Sequence, residues 1–131
     1  MKPKISIITL AVSDLEKSIA FYRNLGFETK GDFDSIAFFV MGDMRLALYP
    51  KEKLPEEFPG HEYSLEPGGF TLAHNVESKE KVDEVLAFAE GKGAKIIKKG
   101  QDVFWGGYSG YFADPDGFLW EVAYNPYEDL T

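Results

Sequence analysis

An α+β fold built from two βαβββ modules is predicted by three observations. The order strand, helix, strand, strand, strand occurs twice along the chain, as a repeat of structure rather than of residues. Each module opens on an apolar segment ending in Val, Lys4–Val12 and Phe70–Val76, followed by a helical stripe. The modules are separated by Pro50–Gly69, rich in Pro, Gly and acids and with little periodicity. A βαβββ unit covers only one face of its sheet with its own helix. Two units side by side curve their sheets around a central cleft, where a ligand would sit. The expected organisation of the 131 residues is a single domain, with a first module at about 4–50, a linker at about 51–68 and a second module at about 69–126.

Lys4–Val12 is β-branched and apolar, which predicts a strand. Ser13 with Glu16 three residues later reads as a capping box, and Leu15, Ile19 and Tyr22 follow at helical spacing. Gly26 closes that helix. Phe27–Lys30 reads as a short strand and Gly31–Asp34 as a turn. Ser35–Met41 and Met44–Tyr49 read as a hairpin about Gly42-Asp43. The linker contains a candidate helical turn near Lys51–Glu57. In the second module Ser78 is the candidate N-cap, Val82, Val85, Leu86 and Ala89 form the helical stripe, and Gly91 and Gly93 end it. Ala94–Lys98 is the next strand and Gly100–Phe104 a connection. The last hairpin turns at Asp114-Pro115-Asp116-Gly117: Asp bonds the backbone, Pro presets φ and Gly supplies a positive φ.

Composition excludes several functions. The formal net charge is −8 and no Lys/Arg stripe exists, so nucleic acid is not an expected partner. With Cys 0, disulfides, thiolate catalysis and Cys-ligated metals are ruled out. The apolar run after Lys4 is short, is followed at once by Asp14 and Glu16, and lacks a small-residue cleavage site, so it reads as a buried strand. No segment approaches membrane-spanning length, and a cytoplasmic protein without a membrane partner is expected.

Glu121 is the leading functional candidate. It stands among Leu119, Trp120, Val122 and Ala123, where a charge is costly unless exposed, paired or used. Alternation puts Trp120 and Val122 on the opposite face, so Glu121 points into the cleft if they lie under the helix. It would serve there as a general base or as an anchor for a cationic or hydrogen-bonding ligand. The plainer alternatives are an outward-facing strand charge, or a charge paired with Arg45. The same alternation turns Thr9, Arg45 and Tyr49 cleftward in the first module, and Thr71 and Asn75 in the second, while His74 falls on the helix side as a core histidine. Trp105, Tyr108 and Tyr111 are candidate aromatic walls. Gly106-Gly107 suggests a bulge or a close backbone approach, and a bulge would shift their register, so which of them faces the ligand stays open.

TLAVSDLEKSIAFYRNLGF in the first module and YFADPDGFLWEVAYNP in the second, with FTLAHNV and FWGGYSGYF, make the chain resemble the vicinal oxygen chelate superfamily. Its members include glyoxalase I, extradiol dioxygenases, fosfomycin-resistance transferases and bleomycin-binding proteins. The resemblance covers nearly the whole chain. It implies a divalent ion held by His or carboxylate side chains from the first and last strands of each module. The matching positions here are Ile7, Ala47, Thr71 (Phe70 after a one-residue slip) and Glu121. Ile and Ala cannot ligate, and one carboxylate does not hold a divalent ion tightly. The expectation is therefore a small-organic-molecule-binding protein with no metal ligand set and no cofactor, with Glu121 as the catalytic residue if there is one. The alternative is a lyase, isomerase or dioxygenase-type enzyme using Glu121 as base or as sole protein ligand of a weakly bound divalent metal. Glyoxalase I itself is not expected. The resemblance also implies a homodimer, with modules paired within one chain or exchanged between two.

Overall fold

The computed structural model describes residues 1–29, 35–62 and 64–131. Two compact units divide the chain, Met1–Glu66 and Pro67–Thr131. The predicted turn at Gly31–Asp34 and the end of the predicted Phe27–Lys30 strand lie outside the described residues.

In the first unit, β1 (Ile7–Val12) leads into α1 (Leu15–Asn24), followed by β2 (Ala37–Met41) and β3 (Met44–Pro50). The sheet order is β1-β3-β2, with β1 parallel and β2 antiparallel to β3. Thr29 adds a single antiparallel bridge to Phe39. The helix cap is Asp14 rather than Ser13: its carboxylate accepts from the Lys17 N–H at 3.0 Å. Both residues are good caps, and the extended backbone at the second of them decides the boundary. The core lies between α1 and one sheet face. Leu10, Val12, Leu48 and Phe39 are fully buried there, and Tyr22 of α1 meets Phe39 with ring centroids 5.7 Å apart. Burying side chains of this size contributes roughly 1.5–3 kcal/mol each. The expected helical turn in the linker is a 3-10 turn at Leu54–Glu57.

The second unit carries the full βαβββ order: β4 (Leu72–Asn75), α2 (Lys79–Gly91), β5 (Lys95–Asp102), β6 (Tyr108–Ala113) and β7 (Leu119–Tyr124). Its sheet order is β4-β7-β6-β5, with β4 parallel to β7 and the rest antiparallel. Ser78 caps α2 as predicted, accepting from the Lys81 N–H at 3.1 Å. Val82, Leu86 and Ala89 are the buried stripe of α2. The Asp114 turn forms as its residues require. Its carboxylate accepts from the N–H groups of Asp116 at 3.0 Å and Phe118 at 2.9 Å, and Gly117 has φ 95°.

Two differences from expectation concern β5 and β4. β5 continues through most of the predicted Gly100–Phe104 connection, and the irregularities lie within it, on either side of Lys98. Gly106-Gly107 is no bulge: it belongs to the turn between β5 and β6, where the Gly106 N–H donates to the Val103 carbonyl at 3.0 Å. β4 is a four-residue edge strand.

Candidate functional site

Alternation sorts the second sheet into two faces, and packing identifies each. Trp120 and Val122 of β7, with Gly110 and Phe112 of β6, belong to the face under α2. A Cβ on Gly110 would lie 2.5 Å from Leu86 Cδ1, and the Phe112 and Trp120 rings stack at 6.1 Å. Glu121 is therefore on the helix-free face. Its cross-strand neighbours there are Tyr111 on β6 and Ala73 on β4. Glu121 and Tyr111 are half-buried and Ala73 is exposed, so one flank of the carboxylate is open.

Tyr111 shares its environment with that carboxylate. Burial raises the phenol pKa above 10.0, and the charge of Glu121 and its hydrogen bond with the phenol raise it further. All three favour the protonated, donating form of the tyrosine beside an accepting carboxylate. On the other side of Tyr111, the Lys98 ammonium stands 5.9 Å from the ring centroid.

The other predicted aromatics go elsewhere. Tyr108 lies on the α2 face, and its phenol donates to Asp83, with both carboxylate oxygens at 3.1 Å. The Lys79 ammonium sits 5.8 Å from the Tyr108 ring centroid. Burial first, then the bond to Asp83, raises the Tyr108 pKa. Trp105 lies outside the strands and folds its ring over Gly107, where a Cβ would collide with it. Of the three aromatics, Tyr111 is the one that meets Glu121.

In the first unit Thr9, Arg45 and Tyr49 share the helix-free face with Ile7 and Ala47. The β1–β3 register pairs Ile7 with Arg45, Thr9 with Ala47 and Ala11 with Tyr49. Arg45 turns back on its own hairpin, donating to the carbonyls of Met44 at 2.7 Å and Gly42 at 3.1 Å. Tyr49 donates to Glu57 of the 3-10 turn at 2.9 Å, and this bond, ahead of burial, raises its pKa. In the second unit Thr71 precedes β4 and is exposed. Asn75 pairs with Ala123 and, with Tyr124 and Tyr127, lines a cavity of about 340 Å³.

His74 corrects an expectation. It pairs with Val122 on the helix side as alternation requires, but on edge strand β4, and it is exposed. It is not a core residue. Protein crowding still desolvates the ring enough to lower its pKa below 6.5, with the charge of Glu77 acting in the opposite direction.

The superfamily's metal does not fit these residues. Ile7 and Ala47 have no donor atom, and Thr71 offers only a neutral hydroxyl. Among the described residues, neither unit groups three His, Cys, Asp or Glu side chains that could hold an ion.

This architecture has known counterparts. The family model for the Glyoxalase/Bleomycin resistance protein/Dioxygenase superfamily matches residues 4–122, and the chain belongs to that superfamily. A glyoxalase-related enzyme from Fulvimarina pelagi has a crystal structure similar to it, with TM-score 0.87 and 33% identity over 95% of this chain and 89% of that one. Glutathione transferase FosA of Serratia marcescens is 31% identical over 93% of this chain and 81% of its own length. Metallothiol transferase FosB of Staphylococcus saprophyticus is 27% identical over 98% and 82%.

Proposed function

We propose that the chain is a small-molecule-binding member of this superfamily that works without a tightly bound catalytic metal. The ligand rests against the helix-free face of the second sheet, with Glu121 as its polar anchor. One observation carries this reading. Of the four positions that match the superfamily's metal ligands, only Glu121 has a carboxylate, and it is half-buried beside a phenol and an open flank. A carboxylate so placed binds hydrogen-bond donors without needing a metal. A thermal-shift screen of small organic molecules, followed by calorimetry on wild type and Glu121→Gln, tests it. Hits that lose affinity in the variant support the reading; a screen whose every hit binds both proteins equally would sink it.

The enzyme reading rests on the names of the transferase relatives and on the same carboxylate, which would act as general base in a lyase, isomerase or dioxygenase-type reaction. Turnover abolished in Glu121→Gln, in protein with no stoichiometric metal by elemental analysis, would favour it over binding alone. Activity that tracks added metal would instead favour a weakly held ion at Glu121. A cytoplasmic homodimer accords with either reading.

A further inference from the structure

Lys98 belongs to no expected site, yet the structure takes unusual measures to place it. Ile96 pairs with Phe112, the next recorded pair is Lys98 with Tyr111, and the one after is Gln101 with Ser109. Two residues of β5 oppose one step of β6 on one side of Lys98, and three oppose two on the other. Without the first irregularity Ile97 would stand opposite Tyr111. Bulges of this kind re-aim a side chain. Here they pair Lys98 with Tyr111, on the face that Tyr111 shares with Glu121, and its ammonium ends over the Tyr111 ring.

The register now forms one row across all four strands: Lys98, Tyr111, Glu121, Ala73. Lys98, Tyr111 and Glu121 are half-buried and Ala73 is exposed, so the row is accessible. Ser109 and Ala123, paired beside it on the same face, are buried, so the open part of that face is the row itself, toward Ala73. The row is polarised. An ammonium stands at the β5 end and a carboxylate at the β7 end, two strand spacings or about 10 Å apart at the backbone. An aromatic ring lies between them. Lys98 makes no ion pair with Glu121 among the described residues of this unit; its recorded contact is the ring.

We infer that this row is a binding site for a zwitterion, a small molecule carrying an ammonium or guanidinium group at one end and a carboxylate at the other. The cationic end is taken by Glu121 and the anionic end by Lys98, with the intervening chain over Tyr111. The inference rests on the proposal that Glu121 anchors the ligand, and it adds Lys98 as a specificity-determining residue.

The test uses three probes of one chain length: 6-aminohexanoate, hexylammonium and hexanoate. Each is titrated into ¹⁵N-labelled full-length protein, and amide shifts of Ala73, Lys98, Tyr111 and Glu121 are followed. The expected order is 6-aminohexanoate tightest, then hexylammonium, with hexanoate weakest. Lys98→Met should remove the advantage of 6-aminohexanoate over hexylammonium, a loss of about three- to fivefold for a partly exposed charge contact. Lys98→Arg should retain it. Hexylammonium should bind wild type and Lys98→Met alike. Equal binding of 6-aminohexanoate and hexylammonium to wild type would overturn the zwitterion assignment while leaving Glu121 as an anchor. So would a Lys98→Met variant that keeps the preference. Absence of any shift along the row with all three probes would overturn it as well; the Glu121-dependent ligand screen then decides separately whether the anchor stands.

Discussion

Gly110→Ala should be the most damaging small substitution in the second unit. Gly110 sits in β6 opposite Val122, under α2. A Cβ there would lie 2.5 Å from Leu86 Cδ1, 2.7 Å from the Lys98 carbonyl oxygen and 2.9 Å from the Gly100 N. Two of these three atoms are backbone of β5, so the strand itself must move. Overpacking of this kind costs about 1–3 kcal/mol, and loss of a β5–β6 ladder bond adds about 1 kcal/mol. The expected total is about 3 kcal/mol. Urea unfolding followed by far-ultraviolet dichroism reads it as a fall in midpoint of about 1.5 M, for a slope near 2 kcal/mol per M. Gly91→Ala is the control. Gly91 ends α2 and a Cβ there meets nothing within 4 Å, so the change should be neutral or stabilise by up to about 1 kcal/mol. A Gly110→Ala protein within about 0.5 kcal/mol of wild type, the spread of harmless surface changes, would refute the packing of α2, β5 and β6 described above.

Other outcomes follow from single contacts. Ser78→Ala removes the α2 cap and should cost about 1 kcal/mol in the same unfolding assay, whereas Ser13→Ala should cost much less because Asp14 is the cap of α1. His74 should titrate below 6.5 by proton NMR. Its folded pKa is depressed, so its stability contribution is present above pH 6.5 and is lost as pH falls through the lower folded value; His74→Asn should flatten that slope. For Tyr108 the sign is reversed. Its folded pKa is raised, so its contribution is present below pH 10.0 and is lost as pH rises through the folded value, and Tyr108→Phe should remove that alkaline component. Light scattering should find twice the monomer mass; a monomer at all concentrations would contradict the expected dimer.

Much of this was legible in sequence because it depends on local chemistry. The Asp114–Gly117 turn, the Ser78 cap and the Val82, Leu86, Ala89 stripe each follow from residue type at fixed spacing. Alternation along β7 and β3 sorted Glu121 from Trp120, and Arg45 and Tyr49 from Leu46 and Leu48, because a strand's period of two survives any tertiary arrangement. Strand order and register were not legible. His74 is on the predicted face, but β4 is an edge strand, and an edge position exposes what a central strand would bury. Tyr108 and Tyr111 differ by three residues and so take opposite faces, but which one meets Glu121 depended on where β6 begins after Gly107. Lys98 was not legible because its placement comes from irregular pairing in β5, and a bulge between ordinary residues such as Ile97 and Lys98 leaves no mark in composition. Arg45 and Tyr49 were legible as to face but not as to partner, since Gly42 and Glu57 come to them through the hairpin and the 3-10 turn.

The most direct measurement is an amide-shift map of the tightest ligand from the screen, recorded on ¹⁵N-labelled wild type and Glu121→Gln. The proposed function predicts wild-type shifts centred on Glu121, Tyr111 and Ala73 that disappear in the variant at the same ligand concentration. Shifts centred instead on Asp83 and Tyr108 under α2, or on Asn75 and Tyr127 around the 340 Å³ cavity, and unchanged in Glu121→Gln, would contradict it.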